Sequence, residues 1–327
     1  MRRSRSDFLA LILLASVASA AVAQDVATPS AGGATFLLLP VGARAAALGQ
    51  AGIADHGTSE SAFWNPAGLA TMTDPEFAVH FSSTFASNNT ALLGDFPIRR
   101  LGVVGLTAYL VDFGSQEVVP GPGLPTGRIS VRNLELMASY AAVLTASLAV
   151  GVNYKLIQFR QECSGDCGTA RPVVGTTHAV DLGVQYAFGA QDAFRVGLAV
   201  KHAGFKLQLE NRDQADPLPT RVQLGVVYRA ILARATDTAP ALDGRLLLDI
   251  QDDWGNYDNP DARIGIEFGY GEIVRLRSGY AILHSESSGP SIGIGLRVGR
   301  VGVDFARVFY DSSSFDEPVH ISLRVII

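Results

Sequence analysis

The chain has 327 residues, of which 48% are hydrophobic, 17% are charged and 34 are glycine, and its formal net charge at pH 7 is −5. Charged residues are too few for a disordered polymer, so the chain folds. The 26 lysines and arginines are spread along the sequence rather than gathered in a patch, which excludes a nucleic-acid-binding surface. Composition therefore fits a folded protein of the cell envelope.

The first residues have the features of a secretory signal peptide. Residues 1–5 are basic, residues 8–22 form an apolar stretch, and residues 21–23 fit a small-residue cleavage site. We therefore predict that residues 1–23 are a signal peptide and that the mature chain starts at Gln24 with a polar leader. No later segment is apolar over a length that a transmembrane helix requires.

Between the leader and the first predicted strand lies a segment rich in glycine and alanine. Small residues let backbones pack closely, and Asn-Pro with a following glycine forces a turn. Because the segment is too short to fold alone, we predict that residues 24–75 form a leader and a plug inside the lumen of a barrel. The residues assigned to this plug motif are Gly42, Arg44, Gly49, Gly52, Phe63, Trp64, Asn65, Pro66, Ala67 and Gly68.

From Phe77 to the end of the chain, large apolar residues alternate with glycine, serine and charged residues. Phe77, Val79 and Phe81 face one side of a strand, whereas His80 and Ser82 face the other. A soluble sandwich also alternates, but these segments are long and carry aromatic residues near their ends, as membrane strands do. We predict an all-β fold, a transmembrane antiparallel β-barrel of about fourteen strands over residues 76–327, with its apolar face toward lipid.

The connections between the predicted strands fall into two groups. Tight linkers lie near residues 144, 190–192, 272 and 300, and long loops cover residues 114–128, 160–175, 209–219 and 253–261. Bacterial barrels have short periplasmic turns and long extracellular loops, so we expect both termini in the periplasm. Residues 234–243 depart from this rule, because they form a long connection on the periplasmic side. Ile327 also departs, because it stands where an aromatic residue is usual.

The predicted lumen face carries charges. The candidate lumen charges are Asp181, Arg195, Arg263, Glu267, Arg297 and Asp304. They form either a charged pathway or an internal network that anchors the plug, and we favour the network because buried charges need partners. Arg44 is expected to meet one of the lumen carboxylates. Phe63 and Trp64 either gate a hydrophobic ligand or, in the simpler interpretation, pack the plug onto the wall.

The other residue patterns do not predict a catalytic, metal-binding or cofactor site. Cys163 and Cys167 share one polar loop of an exported chain, so we predict a disulfide between them. Residues 252–261 offer the oxygen ligands that calcium prefers but lack ordered spacing, which favours a solvated hairpin loop. Arg307 shares the lipid-facing parity and is expected near the outer interface. No nucleophile stands beside a paired base, so we expect no enzyme, metal or cofactor.

The sequence resembles the outer-membrane PorV/PorQ family, within the wider FadL-like group of barrels. The resemblance is carried by Gly42, Arg44, Gly49, the region of Asp55, the Phe-Trp-Asn-Pro-Ala-Gly-Leu run at residues 63–69, and the ending around His320, Ser322 and Leu323. It implies a barrel of about fourteen strands with an N-terminal hatch in the bacterial outer membrane, surrounded by outer-membrane lipid.

The resemblance implies two alternative functions. PorV-type members take part in type IX secretion, where they escort or receive cargo, so the implied partners are secretion-system proteins and exported cargo. FadL relatives admit hydrophobic compounds such as long-chain fatty acids, so the alternative partner is a hydrophobic small molecule. The mature chain is short for a FadL-type transporter, which favours the PorV/PorQ function. A structural envelope protein with neither activity is the third alternative.

Overall fold

A computed structural model of the chain describes residues 33–84, 86–119, 121, 123–209, 215–236, 239–284, 288–310 and 317–327. The predicted signal peptide and most of the predicted leader lie outside these residues. None of the described helices is both long and apolar enough to cross a membrane. From Glu76 onward, the described chain is mostly β-strand.

The described strands form the wall of a barrel. They are β1 (Glu76–Ser83), β2 (Asn88–Ile98), β3 (Gly102–Val118), β4 (Gly127–Val143), β5 (Leu148–Gly165), β6 (Val173–Phe188), β7 (Phe194–Gly204), β8 (Arg221–Ala233), β9 (Leu242–Asp253), β10 (Asn256–Tyr270), β11 (Val274–Ile282), β12 (Gly289–Val298), β13 (Val301–Val308) and β14 (Val319–Ile326). Each strand pairs antiparallel with its neighbours in sequence, and β1 pairs with β14, with Phe77 opposite Val325. This closed ring confirms the predicted fold and strand count.

The two faces of the wall differ as the alternation predicts. On β1 the side chains of Phe77 and Phe81 are 44% and 41% exposed, whereas His80 between them is 3% exposed. Leucine, isoleucine, valine and aromatic residues cover the outward faces of the other strands in the same way. A continuous apolar surface of this size is stable against lipid rather than water.

The barrel has two rims. Because the strand number is even, the first and last strand residues, Glu76 and Ile326, share one rim, which we name the terminal end. The opposite rim is the loop end. The long connection at residues 234–241 joins β8 to β9 at the terminal end, so the predicted placement of these two strands holds.

The prediction of a long loop at residues 253–261 is wrong. β9 continues to Asp253 and β10 begins at Asn256, so that Trp254 and Gly255 alone connect the two strands. Gly255 has a φ of +84°, which a tight turn can require and which side-chain-bearing residues rarely adopt. A register shift near the start of β10 absorbs the residues that the prediction assigned to a loop.

The wall is uneven in height. Strands β3 to β6 have 16 to 18 residues, whereas β1, β13 and β14 have eight each. About ten residues of a tilted strand cross the hydrocarbon core, so β3 to β6, which we name the tall wall, continue past the other strands at the loop end. The loops predicted at residues 114–128 and 160–175 are shorter than expected for this reason. A disulfide joins Cys163 to Cys167 at the top of the tall wall.

Arg307 lies next to the last residue of β13, at the loop end. Its guanidinium forms an ion pair with Glu317 and lies 5.5 Å from the centre of the Phe309 ring. A lipid-facing arginine at the end of a strand can extend its charge to the membrane surface, which removes most of the penalty it would carry at mid-bilayer.

Residues 33–72 form a compact unit on the inner side of the wall, which we name the lumen segment. Its regular elements are a 3₁₀ turn at Thr35–Leu38, helix α1 (Ala43–Ala47), helix α2 (Ser61–Trp64) and a 3₁₀ turn at Pro66–Thr71. Phe36 and Trp64 of this segment share one apolar cluster with Tyr109 and Ile157 of the tall wall. Because those wall residues point away from the apolar outer face, the segment lies within the barrel.

A belt of glycines on the inner face lets the backbone of the lumen segment touch the wall. These glycines are Gly151 on β5, Gly183 on β6, Gly197 on β7, Gly225 on β8, Gly265 on β10, Gly279 on β11 and Gly293 on β12. A Cβ atom added at any of them would lie closer than 3.0 Å to an atom of the lumen segment. Any larger residue at these positions therefore requires the segment or the wall to move.

We expect Gly279→Ala to destabilise the barrel by about 1–3 kcal/mol, because the new methyl group would overlap the backbone of Gly49. The measurement is the free energy of unfolding by urea in lipid vesicles. Gly302→Ala on β13 is the matched control, because its Cβ would meet Arg324 no closer than 3.5 Å. Equal stabilities of the two variants would contradict the close contact.

Candidate functional site

The first half of the lumen segment is fixed to β12 and β14 through its backbone. The amide of Ala43 donates to the Ser322 hydroxyl at 2.8 Å, and the amide of Gly49 donates to the Ser291 hydroxyl at 3.1 Å. Gly42 and Gly49 flank α1 and have φ values of +95° and +64°. Glycine is the residue that adopts these values without strain, so the two glycines of the motif set the chain direction before and after the helix.

The next turn is held by two polar side chains of the wall. The Asp249 carboxylate accepts hydrogen bonds from the amides of Gly52 and Ile53 at 2.7 and 2.9 Å. From the opposite side, the Gln185 amide donates to the carbonyl oxygens of Ile53 and Asp55 at 3.0 and 2.8 Å. Buried backbone groups need such partners, and the wall supplies them here without any sheet pairing.

The Asn-Pro-Ala-Gly run makes the second anchor. Asn65 is fully buried, donates through its side-chain amide to the Ile53 carbonyl at 2.9 Å, and accepts from the Ala67 amide at 3.0 Å. This caps the 3₁₀ turn, whose first residue, Pro66, has no N–H that needs a partner. Gly68 lies where a Cβ atom would collide with the backbone of the lumen segment itself.

The two aromatic residues of the motif are buried, at 7% exposure for Phe63 and 8% for Trp64. Phe63 packs edge-on against Tyr109 with ring centroids 5.6 Å apart. The Trp64 indole donates to the Val41 carbonyl at 3.2 Å, and the Lys201 ammonium lies 5.4 Å from its ring centre. These contacts hold the segment against the tall wall and the neighbouring strand, in the packing arrangement rather than that of a free gate.

Arg44 lies at the centre of a buried ion network. Its guanidinium is 2.9 Å from the Asp55 carboxylate of the same segment and 3.3 Å from Glu267 on β10. Arg245 on β9 bridges the same two carboxylates at 2.5 and 3.4 Å. Asp55 and Glu267 therefore each sit between two guanidinium groups, and the lumen segment is linked to the wall by charge as well as by packing.

The network continues along the wall. Arg277 on β11 binds Glu267 and Asp304, each at 2.6 Å, and Arg324 on β14 binds Asp304 at 2.8 Å. We name this set the arginine cluster; its members are Arg44, Arg245, Arg277, Arg324, Asp55, Glu267 and Asp304. Opposite charges in contact offset the large cost of removing each from water, provided that no partner is lost.

Asp55 and Glu60, two acids of the lumen segment, have pKa values that are shifted in opposite directions. Burial alone would raise the pKa of the Asp55 carboxyl, but the guanidinium groups of Arg245 and Arg44 outweigh burial and lower its pKa to about 2. Glu60 has no such close partner, and burial raises the pKa of its carboxyl to about 7. The charges that act on Glu60 include those of Asp304, Arg324, Arg44 and Arg277. Asp55 is therefore ionised at neutral pH, whereas Glu60 titrates there.

A second buried network lies on the tall wall. The Lys155 ammonium is 3.2 Å from Glu135 and 2.9 Å from Asp181, and all three side chains are at most 2% exposed. Asn153 extends it to the lumen segment, because its amide donates to Asp181 at 2.9 Å and to the Ala62 carbonyl at 2.8 Å. Both networks therefore end on the lumen segment.

The six predicted lumen charges do not form one site. Asp181, Glu267 and Asp304 belong to the two buried networks. Arg263 pairs with Asp261 at 3.4 Å toward the loop end, and Arg297 pairs with Glu272 at 3.0 Å at the terminal rim. Arg195 is 9% exposed.

Two residues that bind the lumen segment are missing from the sequence prediction. Arg245 and Gln185 both lie at positions of their strands that face inward. The alternation therefore placed them in the lumen without indicating that they would contact the lumen segment. Glu60, within the lumen segment itself, is also missing from the prediction, and it had no comparable signal because its surroundings are not periodic. These residues are identified by the path of the segment rather than by a local pattern.

The described residues enclose a cavity on each side of the lumen segment, one toward the loop end and one toward the terminal end. The loop-end cavity holds about 30 Å³, space for about one or two waters, between Trp64, Lys155 and Lys201. The terminal-end cavity is about 430 Å³ and is lined mainly by arginine and carboxylate side chains. Among the described residues, no group of three or more histidines, cysteines or acids is placed to hold a metal ion.

We expect Arg44→Met to lower the free energy of unfolding by about 3–5 kcal/mol, because it leaves Asp55 and Glu267 buried with one guanidinium fewer. Urea unfolding in lipid vesicles measures this change. Arg100→Met in the exposed turn between β2 and β3 is the control for loss of one charge. A loss below about 1 kcal/mol, the range of exposed ion pairs, would refute the anchoring role.

Glu60 predicts a pH dependence of stability. Its folded pKa of about 7 exceeds its ordinary value of 4.5, so between these values the folded chain holds more protons than the unfolded chain. The contribution is present at low pH and is lost as the pH rises through about 7. We expect the free energy of unfolding to fall by on the order of 2 kcal/mol from about pH 5 to pH 8.

The measurement compares unfolding at the two pH values in wild type, Glu60→Gln and Glu272→Gln. Glu60→Gln should remove most of the pH dependence, whereas Glu272→Gln should retain it because Glu272 is exposed at the rim. Equal slopes in all three proteins would refute the assignment to Glu60.

Comparison with known proteins gives the family. The chain matches the family model of the type IX secretion system protein PorV over residues 21–250, a stretch that includes the lumen segment and β1 to β8. The comparison with curated proteins finds no match.

Solved structures with a similar fold include a hydrocarbon channel, a toluene transporter and a FadL homologue. The CymD monoaromatic hydrocarbon channel is 15% identical with a TM-score of 0.61, over 89% of this chain and 98% of that chain. The toluene transporter TbuX of Ralstonia pickettii is 14% identical with a TM-score of 0.59, over 88% and 98%. A FadL homologue of Pseudomonas aeruginosa is 10% identical with a TM-score of 0.53, also over 88% and 98%. At these identities the likeness establishes the fold alone. Because the family match covers most of the chain, this outer-membrane β-barrel belongs to the PorV family of type IX secretion system proteins.

Proposed function

We propose that this chain is a PorV-type component of protein secretion at the bacterial outer membrane, where it receives or escorts exported proteins. The observation that carries the proposal is the family match over residues 21–250. The proposal requires no catalytic step, because a barrel of this kind would act by binding.

The fixed lumen segment supports a binding role rather than an open pore. It lies against seven glycines of the wall, and Arg44 joins it to Glu267 through a buried ion pair. Moving it would separate buried charges, which is costly. In our proposal the segment is a permanent plug, and partners bind to the outside of the barrel.

The proposed binding surface is the loop end of the tall wall. We place both termini in the periplasm, which puts the tall wall and the connection at residues 205–220 outside the cell, as the long loops of bacterial barrels usually are. Exposed apolar residues lie at this end, including Leu124 at 87% and Phe205 at 75% exposure. Exposed apolar side chains of this size are typical of surfaces that bind proteins.

The alternative function is a channel for hydrophobic compounds. The fold likeness to the CymD monoaromatic hydrocarbon channel and the toluene transporter TbuX supports it. The cavities of this chain weigh against it, because the larger one is lined by charged groups and the smaller one accepts only water-sized molecules. A site for an apolar ligand is usually lined by apolar side chains.

The experiment is capture of the tagged chain from crosslinked outer membranes, followed by mass spectrometry of proteins and lipids. Exported proteins or secretion components should be recovered with it. A stoichiometric fatty acid or hydrocarbon without protein partners would instead establish the channel function, and recovery of neither would refute both.

A matched pair of variants tests where partners bind. Leu124→Asp, in the connection between β3 and β4, should reduce recovery of partners several-fold because it puts a charge into the proposed surface. Leu101→Asp is the control, because Leu101 is also an exposed leucine, at 64%, in a turn at the opposite rim. Equal recovery with both variants would refute the loop-end surface.

A further inference from the structure

The cavity of about 430 Å³ at the terminal end has an unusual charge balance. Seven arginines and four carboxylates line it, which leaves an excess of three positive charges. Four of the arginines and two of the carboxylates belong to the arginine cluster. The remaining charged groups are Arg229, Arg275, Arg297, Asp243 and Glu272. We name this cavity the arginine vestibule.

The carboxylates of the vestibule are already engaged. Asp243 pairs with Arg275 at 2.8 Å, and Glu272 pairs with Arg297 at 3.0 Å. Glu267 and Asp304 are held by the arginine cluster at 2.6 to 3.4 Å. Asp55 does not line the cavity but pairs with Arg44 and Arg245, so it offsets one of the three excess charges. An excess of two positive charges remains.

Arg229 carries the clearest part of this excess. It stands directly opposite Arg245 in the pairing of β8 with β9, so that two like charges are neighbours on the same face. Like charges directly opposite each other are destabilising in a sheet, although Arg229 is exposed at the terminal rim and solvent weakens the repulsion. An anion bound between the two guanidinium groups would offset what remains. Arg245 has Asp55 and Glu267 as partners, whereas among the described residues no carboxylate lies within ion-pair distance of Arg229.

Glycines on the neighbouring strands leave room around these guanidinium groups. A Cβ atom at Gly269 would overlap the guanidinium of Arg275, and one at Gly295 would lie 2.8 Å from that of Arg277. Any side chain at these two positions would push the arginines out of their places. The inner face therefore leaves space for the guanidinium groups of Arg275 and Arg277 beside the cavity.

We infer that the arginine vestibule is a binding site for a small polyvalent oxyanion that carries phosphate or carboxylate groups. The planar guanidinium group binds both groups through two parallel hydrogen bonds, which makes arginine the preferred residue for such ligands. A volume of about 430 Å³ falls in the range of about 300–1,000 Å³ that is typical of small-molecule sites.

The ligand would also join the lumen segment to the wall. Arg44, His56 and Thr58 of the segment line the vestibule together with Arg229 of β8. An oxyanion that contacts both sides stabilises the seated segment by mass action, since it binds the folded arrangement alone. This inference goes beyond the secretion role and stands even if no exported protein is captured.

The experiment is isothermal titration of the detergent-solubilised full chain with pyrophosphate in a low-salt, phosphate-free buffer. Wild type should show saturable binding. Arg229→Gln should weaken it about tenfold or more, because it removes a charge-assisted contact without breaking an internal ion pair. Arg100→Gln should change it less than about twofold, because it removes the same charge from an exposed turn at the same rim.

A second anion, a second variant and an unfolding measurement extend the experiment. Titration with tricarballylate, a tricarboxylate, separates a preference for carboxylate from one for phosphate. Arg229→Lys keeps the charge but not the planar fork, so its affinity should fall between wild type and Arg229→Gln. Pyrophosphate should also raise the urea midpoint of wild type more than that of Arg229→Gln, which gives a readout independent of heat signals.

Absence of saturable binding of either anion to wild type would overturn the inference. Equal losses in Arg229→Gln and Arg100→Gln would do the same, because they would show only a general response to net charge.

Discussion

The close approach of the lumen segment to the inner wall is the contact on which the rest of the structure depends. Seven glycines on β5 to β8 and β10 to β12 have no side chain in the way, so that a non-periodic chain can lie directly on a β-sheet. That approach brings the segment's backbone groups within reach of Asp249, Gln185, Ser291 and Ser322. Hydrogen bonds to side chains then replace the sheet pairing that the segment cannot make, which is why a segment without a core of its own is well ordered here.

The buried charges determine the position in which the lumen segment packs against the wall. A buried ion pair contributes little net stability against an apolar replacement, yet it strongly disfavours arrangements in which one partner is displaced. Arg44 and Asp55 are eleven residues apart along the segment, and they meet between Glu267 and Arg245 of the wall in one position of the segment only. The glycines thus permit close packing, and the arginine cluster selects a single register within it. Glu60 makes this arrangement sensitive to pH near neutrality.

The alternation of the sequence predicted the barrel and its strand count because the two faces meet two different environments, lipid and lumen. It failed at residues 253–261, where acidic and polar residues continue a strand beyond the region in which alternation is enforced. It also indicated that Arg245 and Gln185 face inward but not what they touch, because that depends on the path of another segment. The glycines and the Asn-Pro pair predicted that this segment turns sharply and packs closely, whereas the contact of its backbone with Gly279 and Gly265 depends on long-range packing that no local pattern indicates.

The uneven wall acts on the lipid around it. Strands β1, β13 and β14 have eight residues each. At about 3.3 Å per residue and a tilt near 40°, such strands span only about 20 Å, less than the apolar band of about 25 Å that outer-membrane barrels usually present. The bilayer beside these three short strands must become thinner, or the barrel must tilt toward them. Either change costs fractions of a kcal/mol per Å of hydrophobic mismatch. The short strands therefore distinguish one side of the barrel in the plane of the membrane. A neighbouring barrel with equally short strands relieves the mismatch when it packs beside β1, β13 and β14.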